Sequence, residues 1–487
     1  MMSKTKAAVR PRSWHLPFLF LLLLAQTCSP QEQGGGGALH GSFVRCVARL
    51  SPATTDTSRL VHAPSAASYP SLLNATIQNL RFASPRTPRP ALLLTPATVA
   101  EARACVTCCR RHGLTVRARS GGHDYEGLSY RSVAGARPFA VVDVAALRDV
   151  RVDAGRRVAR AGPGATLGEL YYAVTRESGG ALGFPAGICP TVCVGGHLSG
   201  GGFGPMMRKH GLGADNVVDA EVVDAEGRLL DRAAMGEGLF WAIRGGGGGS
   251  FGVVVSWTVR LVPVPPVVSA FTVRRLVRRG DQRQTQAAVR LLTKWQRVAH
   301  ALPEDLFVKV AMEPEVDDAG ERHPSVTFKS LFLGNCSGMV AEMSAHLTSP
   351  IPAAGLGGLL ARVVEDRGGS VDVDPQGGAM SETPESDTPY AHRRGYLAWV
   401  RGVHRFMTPY ASARPRAAYV NFRDLDLGQN LEGETSYEAA RAWGEMYFRG
   451  NFRRLAMVKA EVDPDQVFWS EQSIPPLLQT NGMLSDT

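Results

Sequence analysis

The sequence has no long basic run, no His or Cys cluster at metal-ligand spacing, and no internal repeat. Each absence removes a class of function. Lys and Arg are scattered, so a net charge of +10 is a poor signature of nucleic-acid binding. It fits a basic protein that meets anionic surfaces, of which plant cell-wall pectin is one. Without spaced ligands no metal centre is expected. The order of residues argues for no Ser–His–Asp arrangement. Beyond residue 25 no stretch is apolar enough to cross a bilayer, so no transmembrane segment is expected. Paired cysteine also runs short. Of the eight cysteines, Cys28 lies beside a leader-like segment, and the other seven cannot all pair with one another. At least one must be free or modified.

That leader-like segment has a basic start (Lys4, Lys6, Arg10, Arg12) and an apolar run over residues 16–25. It reads as a secretory signal cleaved between Ala25 and about residue 32. Sequons at Asn74 and Asn335 suit a secreted, glycosylated chain. Residues 30–41, rich in Gln and Gly, are predicted to be disordered.

What remains is ordinary globular material, 44% apolar and 20% charged, with length for two or three domains. Thr98, with Glu101 three residues on, has capping-box spacing and opens a helix. Strands are predicted over 114–119, 140–144 and 150–153, a helix over 167–175, and a hairpin over 217–231 around Ala225-Glu-Gly227. Residues 263–266 (PVPP) mark a boundary. A helix over 286–302 follows, with Val289, Leu292, Trp295 and Ala299 on one side, and then a hairpin over 307–333. Strand character resumes over 419–426, and 439–447 is helical.

Two glycine-rich segments carry the chemistry: residues 119–127 (RSGGHDYEG) and 187–204 (GICPTVCVGGHLSGGGFG). Glycine lets backbone lie directly on a ligand, and free N–H groups there can cradle a phosphate. Each segment also sets a nucleophile, His123 or Cys189, beside such backbone. The pair suggests a cofactor held by covalent bonds. The plain alternative is two glycine turns with one buried His and one buried Cys. A third run, 244–252, places Gly247, Gly249 and Gly252 in G-x-G-x-x-G spacing. It precedes a β-branched strand rather than opening a helix, so it is no dinucleotide fingerprint.

Residues 119–131, 185–204, 244–257, 419–428 (YVNFRDLDLG) and 471–477 (EQSIPPL) closely resemble the plant berberine bridge enzyme-like family of secreted, FAD-linked oxidoreductases. The resemblance implies an α+β fold. A PCMH-type, vanillyl-alcohol-oxidase-like FAD-binding domain (32–263) would follow the leader (1–31). A shortened α/β substrate domain (264–428) comes next, and a C-terminal segment (429–487) returns to the FAD domain. It implies bicovalent FAD, with His123 on the 8α-methyl carbon and Cys189 on C6 of the flavin. Ser120, Gly121, Gly122, Gly195, Gly196, Gly247 and Gly248 would line the cofactor. Cys46 and Cys108 match the family's disulfide, leaving Cys105 and Cys109 as extras. Cys193 stands where relatives have Gly and reads as a packed thiol. Val192 matches the position that gates oxygen, where valine accompanies oxidases; otherwise it is an ordinary core valine.

The expected reaction moves hydride from a substrate C–H to the flavin while a base takes the hydroxyl proton, and O2 then gives H2O2. Here the sequence departs from the family. Relatives place tyrosines where this chain has Phe203 and Phe422, and phenylalanine accepts no proton. Tyr419 and Tyr125 are the remaining candidate bases. His197 and His210 read better as packed or surface histidines. Relatives also carry a longer stretch between 346–349 and 350–352, and a strand near 395–399. Two readings follow. One is a monomeric secreted oxidase of oligosaccharides or phenolic alcohols such as monolignols. The other is a flavinylated but catalytically impaired binding or structural protein, or a truncated gene product.

Overall fold

The computed structural model describes residues 34–133, 135–247, 249–339, 353–364, 370–376, 378–389, 417–431 and 435–477. The leader, Cys28, and the two places where relatives are longer (346–352 and 395–399) lie outside these residues, as does Gly248. Among the described residues no helix is long and apolar enough to cross a membrane.

A four-stranded sheet comes first, in the order β1-β2-β4-β3, from β1 (Val61–His62), β2 (Leu92–Leu94), β3 (Thr115–Arg119) and β4 (Phe139–Asp143). β2 and β3 both run parallel to β4. Two helices pack beside it, α1 (Gly34–Leu50) and α2 (Val99–Arg111). The Thr98 side chain caps α2 by accepting from Glu101 N. The existence of α1 corrects the expectation of disorder over 34–41. Each Gly costs a helix about 1 kcal/mol relative to Ala. Phe43 and Val47 are fully buried, however, and Cys46 forms a disulfide with Cys108 of α2. Burying two such side chains recovers several kcal/mol, so tertiary packing overrides the local signal.

The second sheet has the order β5-β6-β10-β8-β9 and is antiparallel throughout. It contains β5 (Val150–Asp153), β6 (Val158–Ala161), β8 (Val217–Val223), β9 (Leu229–Leu230) and β10 (Val253–Arg260), while β7 (Leu182–Gly183) pairs separately with β11 (Val262–Pro263). The glycine run 244–252 thus feeds the strand expected after it, and that strand pairs antiparallel on both sides. Helix α3 (Leu167–Ser178) starts in a capping box of Thr166 and Glu169 and stops at Gly179, which adopts a left-handed conformation.

The third sheet, order β12-β14-β13-β15, is built from β12 (Thr272–Leu276), β13 (Leu306–Val316), β14 (Arg322–Phe332) and β15 (Val371–Val373). Along β13, side chains alternate between two faces. Leu306, Val308, Val310 and Met312 join the core under helix α4 (Gln282–Val298), where Val289, Leu292 and Trp295 are buried. Phe307, Lys309 and Ala311 face the other way. A helix over Tyr437–Phe448 agrees with expectation. The strand expected over 419–426 does not form. Phe422 N donates to the Tyr419 carbonyl at 2.8 Å, and a 3-10 turn follows at Leu425–Leu427. Among the described residues no strand pairs with this segment, and alternating side chains alone do not make one.

Candidate functional site

β3 delivers the chain into the first glycine loop. Its last residue, Arg119, is buried and anchored by Asp143 at the end of β4 (Nε–Oδ2 2.9 Å) and by the Leu72 and Leu73 carbonyls. Ser120 Oγ donates to the Pro163 carbonyl at 2.5 Å. A Cβ on Gly121 would stand 3.0 Å from Cys193 Sγ and 3.3 Å from Cys193 N. The first loop therefore lies directly on the second. Gly122, at φ +67°, would drive a Cβ to 2.2 Å from the Thr76 carbonyl, so no other residue fits. His123 Nε2 is 3.2 Å from the Thr191 carbonyl. A carbonyl only accepts, so Nε2 is the donor in this contact and Nδ1 is not used by it.

The second loop is strapped to residues 163–167. Leu167 N donates to the Val192 carbonyl at 2.8 Å, Val194 N to Ala165 at 2.8 Å, and Gly195 N to Pro163 at 3.0 Å. Cys189 is exposed on the turn that Val192 N closes back to it (3.3 Å). Val192 is partly buried against the core, and Cys193 is buried with its thiol 3.4 Å from the Gly164 carbonyl. Gly195 is forced by the chain itself, since a Cβ would fall 2.8 Å from the Pro163 side chain. Gly196 is different. It is exposed, and a Cβ there would meet nothing within 4 Å. The third loop closes the group. Gly247, at φ +101°, donates to the Ser199 carbonyl at 2.9 Å, and a Cβ there would sit 2.6 Å from the Arg423 guanidinium.

The sequence-predicted tyrosines meet here. Tyr419 Oη accepts from Gly202 N and Asn421 Nδ2, both at 3.0 Å, and Asn421 Nδ2 also donates to the His197 carbonyl at 3.1 Å. Tyr419 lies 4.9 Å from Phe203 and 5.1 Å from Phe422 between ring centroids, and Tyr125 stacks on Phe422 at 5.2 Å. Tyr125 and Phe422 are half exposed and form the rim. Burial pushes the Tyr419 phenol up to about 12, so it stays protonated at neutral pH. His197 is pushed down to about 4 by burial, and its Nε2 accepts from Gly187 N at 3.1 Å. It is a packed neutral histidine. His210 is half-buried and likewise held below its ordinary value.

Sequence reasoning missed the opposite wall. Phe307 of β13 packs in one cluster with Phe203 and Tyr419. Two residues on, Lys309 Nζ lies 3.0 Å from Asp372 Oδ2 of β15. Asp374, just beyond β15, is raised to about 6 by burial, and Lys309 and Asp372 both act on it. A lysine interrupting an apolar strand was the available signal. Asp374 had none, because its chemistry comes from burial by distant chain.

Residues 90–232 match the model of an FAD binding domain, and residues 418–475 match the berberine and berberine-like model. The chain is 40% identical to berberine bridge enzyme-like Cyn d 4 of Cynodon dactylon, over 90% of this chain and 93% of that protein. It is 38% identical to monolignol oxidoreductase AtBBE-like 13 of Arabidopsis thaliana, over 94% and 97%. Among solved structures, wild-type Phl p 4.0202, a glucose dehydrogenase, superposes with a TM-score of 0.82 at 38% identity, covering 90% of this chain and all of that one. An isoleucine-to-valine variant of Phl p 4, described as a glucose oxidase, superposes at 0.81 with the same identity and coverage. The α+β arrangement is therefore the PCMH-type FAD fold, and the chain belongs to the berberine bridge enzyme-like family of FAD-dependent oxidoreductases.

Proposed function

We propose that the protein is a secreted oxidase that takes hydride from a C–H bond of an alcohol or sugar, with FAD attached through both His123 and Cys189. The observation that carries this reading is the junction of the two loops. His123 rests on the Thr191 carbonyl, two residues from the exposed Cys189, and Gly196, further along the same loop, is exposed with nothing within 4 Å of where a Cβ would stand. Gly121 and Gly195 make close chain-to-chain contacts, whereas Gly196 makes none and leaves room for a ligand. The residues present fit FAD. His123 offers Nδ1, and Cys189 offers an exposed sulfur. Ser120, Gly121, Gly122, Gly195, Gly196, Gly247 and Gly248 would surround the cofactor. Bound there, FAD would supply the hydride acceptor and pass its electrons to O2, giving H2O2.

The rest is the work of this chain. Tyr125 and Phe422 present flat apolar rings at the rim, suited to a sugar face or an aromatic alcohol. Tyr419, protonated, holds the Gly202 amide and Asn421 in place and can give a hydrogen bond rather than take a proton. Asp374, at about 6, is the group poised to accept the substrate's hydroxyl proton. Val192 would leave the path for O2 open. In the relative Phl p 4, an isoleucine-to-valine variant carries the description oxidase where the wild type carries dehydrogenase.

Two observations favour the second reading, a flavinylated protein without turnover. Phe203 and Phe422 put no hydroxyl into the aromatic cluster. The alignment with Cyn d 4 runs over 508 residues, more than the 487 of this chain, so that relative has stretches with no counterpart here. They fit a shortened substrate domain over 264–428, between 32–263 and 429–487. Denatured protein should keep yellow, protein-bound flavin. His123→Ala and Cys189→Ala should each keep it by one link, and the double variant should lose it. Anaerobic addition of oligosaccharides and aromatic alcohols should then bleach the wild-type flavin. Bound flavin that no such substrate bleaches establishes the second reading, and no bound flavin overturns both.

A further inference from the structure

Helix α4 has a second side that the flavin site does not use. Its Ala288, Val289, Leu292 and Trp295 are buried against the third sheet, on the face away from Phe307 and Lys309. At 100° per residue, Arg283, Arg290, Lys294 and Arg297 fall together on the opposite side, and all four are exposed. The stripe runs about 21 Å along the helix. Arg278 and Arg279, exposed in the turn before the helix, lengthen it.

The stripe differs from an ordinary solvated face. Such faces interleave signs and gain from pairs four residues apart. Helix α4 contains no acidic residue. Between residues 267 and 302 there are eight Lys and Arg and a single acid, Asp281. That acid is engaged as the helix N-cap, where it accepts from Gln284 N at 2.9 Å. Among the described residues, none of the four stripe cations pairs with a carboxylate. Concentrating like charge on one face opposes folding, so the arrangement calls for a partner of opposite sign.

We propose that this face is a docking site for an acidic polysaccharide, a polyuronate chain lying along α4. A guanidinium takes a carboxylate in a bidentate fork, and three of the four stripe cations are Arg. A membrane is the poorer fit, because a surface-bound helix must offer its apolar side to lipid, and here that side is in the core. Single-stranded nucleic acid needs exposed rings to stack its bases, and α4 has only Trp295, which is buried. The Cys46–Cys108 disulfide marks an oxidising compartment, where carboxylated matrix polymers rather than nucleic acids are the resident polyanions. Because α4 and the Lys309 wall occupy opposite faces of one sheet, docking leaves the flavin side open. The inference stands independently of the flavin reading.

The test is retention of the full-length protein on immobilised polygalacturonate across a salt series. The probes beside it are neutral dextran, duplex DNA, single-stranded DNA and phosphatidylserine vesicles. A variant carrying Arg283→Gln, Arg290→Gln, Lys294→Gln and Arg297→Gln is compared with a control that loses equal charge at exposed sites elsewhere (Arg49→Gln, Arg86→Gln, Arg111→Gln, Arg156→Gln). The expected result is salt-sensitive binding to polygalacturonate that the stripe variant weakens about tenfold or more while the control keeps it. Both variants should retain the wild-type melting temperature. Equal losses in the two variants would reduce the effect to net charge and overturn the proposal. So would retention on dextran, or tighter binding to nucleic acid or vesicles than to polygalacturonate.

Discussion

Asp374 takes its chemistry from its surroundings rather than from its sequence neighbours. An ordinary aspartate is ionised above about 4; burial lifts this one to about 6. A base must be deprotonated to act, so kcat/KM for a substrate that bleaches the flavin should fall as pH drops through about 6. Asp374→Asn should remove that inflection and lower kcat/KM by about a hundredfold or more, with the flavin spectrum unchanged. An inflection that persists in the variant assigns the proton to another group. That His123 and the Cys189 loop matter together is suggested by local glycine patterns, and the structure brings the two loops into contact. Asp374 was not legible in the sequence, because nothing within ten residues distinguishes it from a surface carboxylate. The tyrosines fall between these cases. Their positions in the sequence led to residues that pack in one aromatic cluster, but the proton held on Tyr419 is a property of packing.

Among the elements, the strands and helices of the FAD half follow their sequence signals closely, since capping, alternation and glycine stops are all local. The failures have one physical origin. Helix α1 forms over glycines because α2 and a disulfide hold it, and 419–426 turns rather than extends, with no strand beside it among the described residues. What positions the loops is buried charge. Arg117, in β3, donates to the Leu128 carbonyl at 2.9 Å, to Ser132 Oγ at 3.1 Å and to Glu471 Oε2 at 3.0 Å, while Glu471 also accepts from Ser132 Oγ and Val133 N. This network fixes the return of the first glycine loop. Glu471→Gln leaves Arg117 buried and unpaired, and should cost about 3 to 5 kcal/mol at pH 7. Its pairing and hydrogen bonds hold the Glu471 carboxyl below its usual value despite burial. The stabilisation is therefore fully present above the ordinary carboxylate range and is lost as pH falls through the lower folded value. Melting temperatures of the two proteins should differ most near neutrality and converge in acid. A constant gap across that range would show that shape rather than charge holds the loop.

At the scale of the whole molecule, residues 417–477 reach each of the three glycine loops. Tyr419 and Asn421 bond the second loop at Gly202 and His197. Lys459, fully buried with Asp463, donates to the Ser250 carbonyl of the third at 2.6 Å and to the Phe468 carbonyl at 2.9 Å. Glu471 holds the end of the first through Ser132 and Val133. Each loop could be read from its own sequence, but their convergence could not, since it depends on contacts spanning 209 to 354 residues. A chain ending at residue 416 keeps His123, Cys189 and every strand of the three sheets. If local sequence were enough to build the flavin site, such a chain would still be yellow. The structure predicts otherwise. Three loops lose their anchors at once, buried Arg117 loses its only carboxylate partner among the described residues, and the core loses Trp443, Phe452 and Leu455. The truncated chain should be recovered as aggregate or as colourless protein, and co-expression of residues 417–487 as a separate chain should restore flavin that survives denaturation. Soluble truncated protein with covalent flavin would show that the two nucleophile loops assemble without the C-terminal clamp.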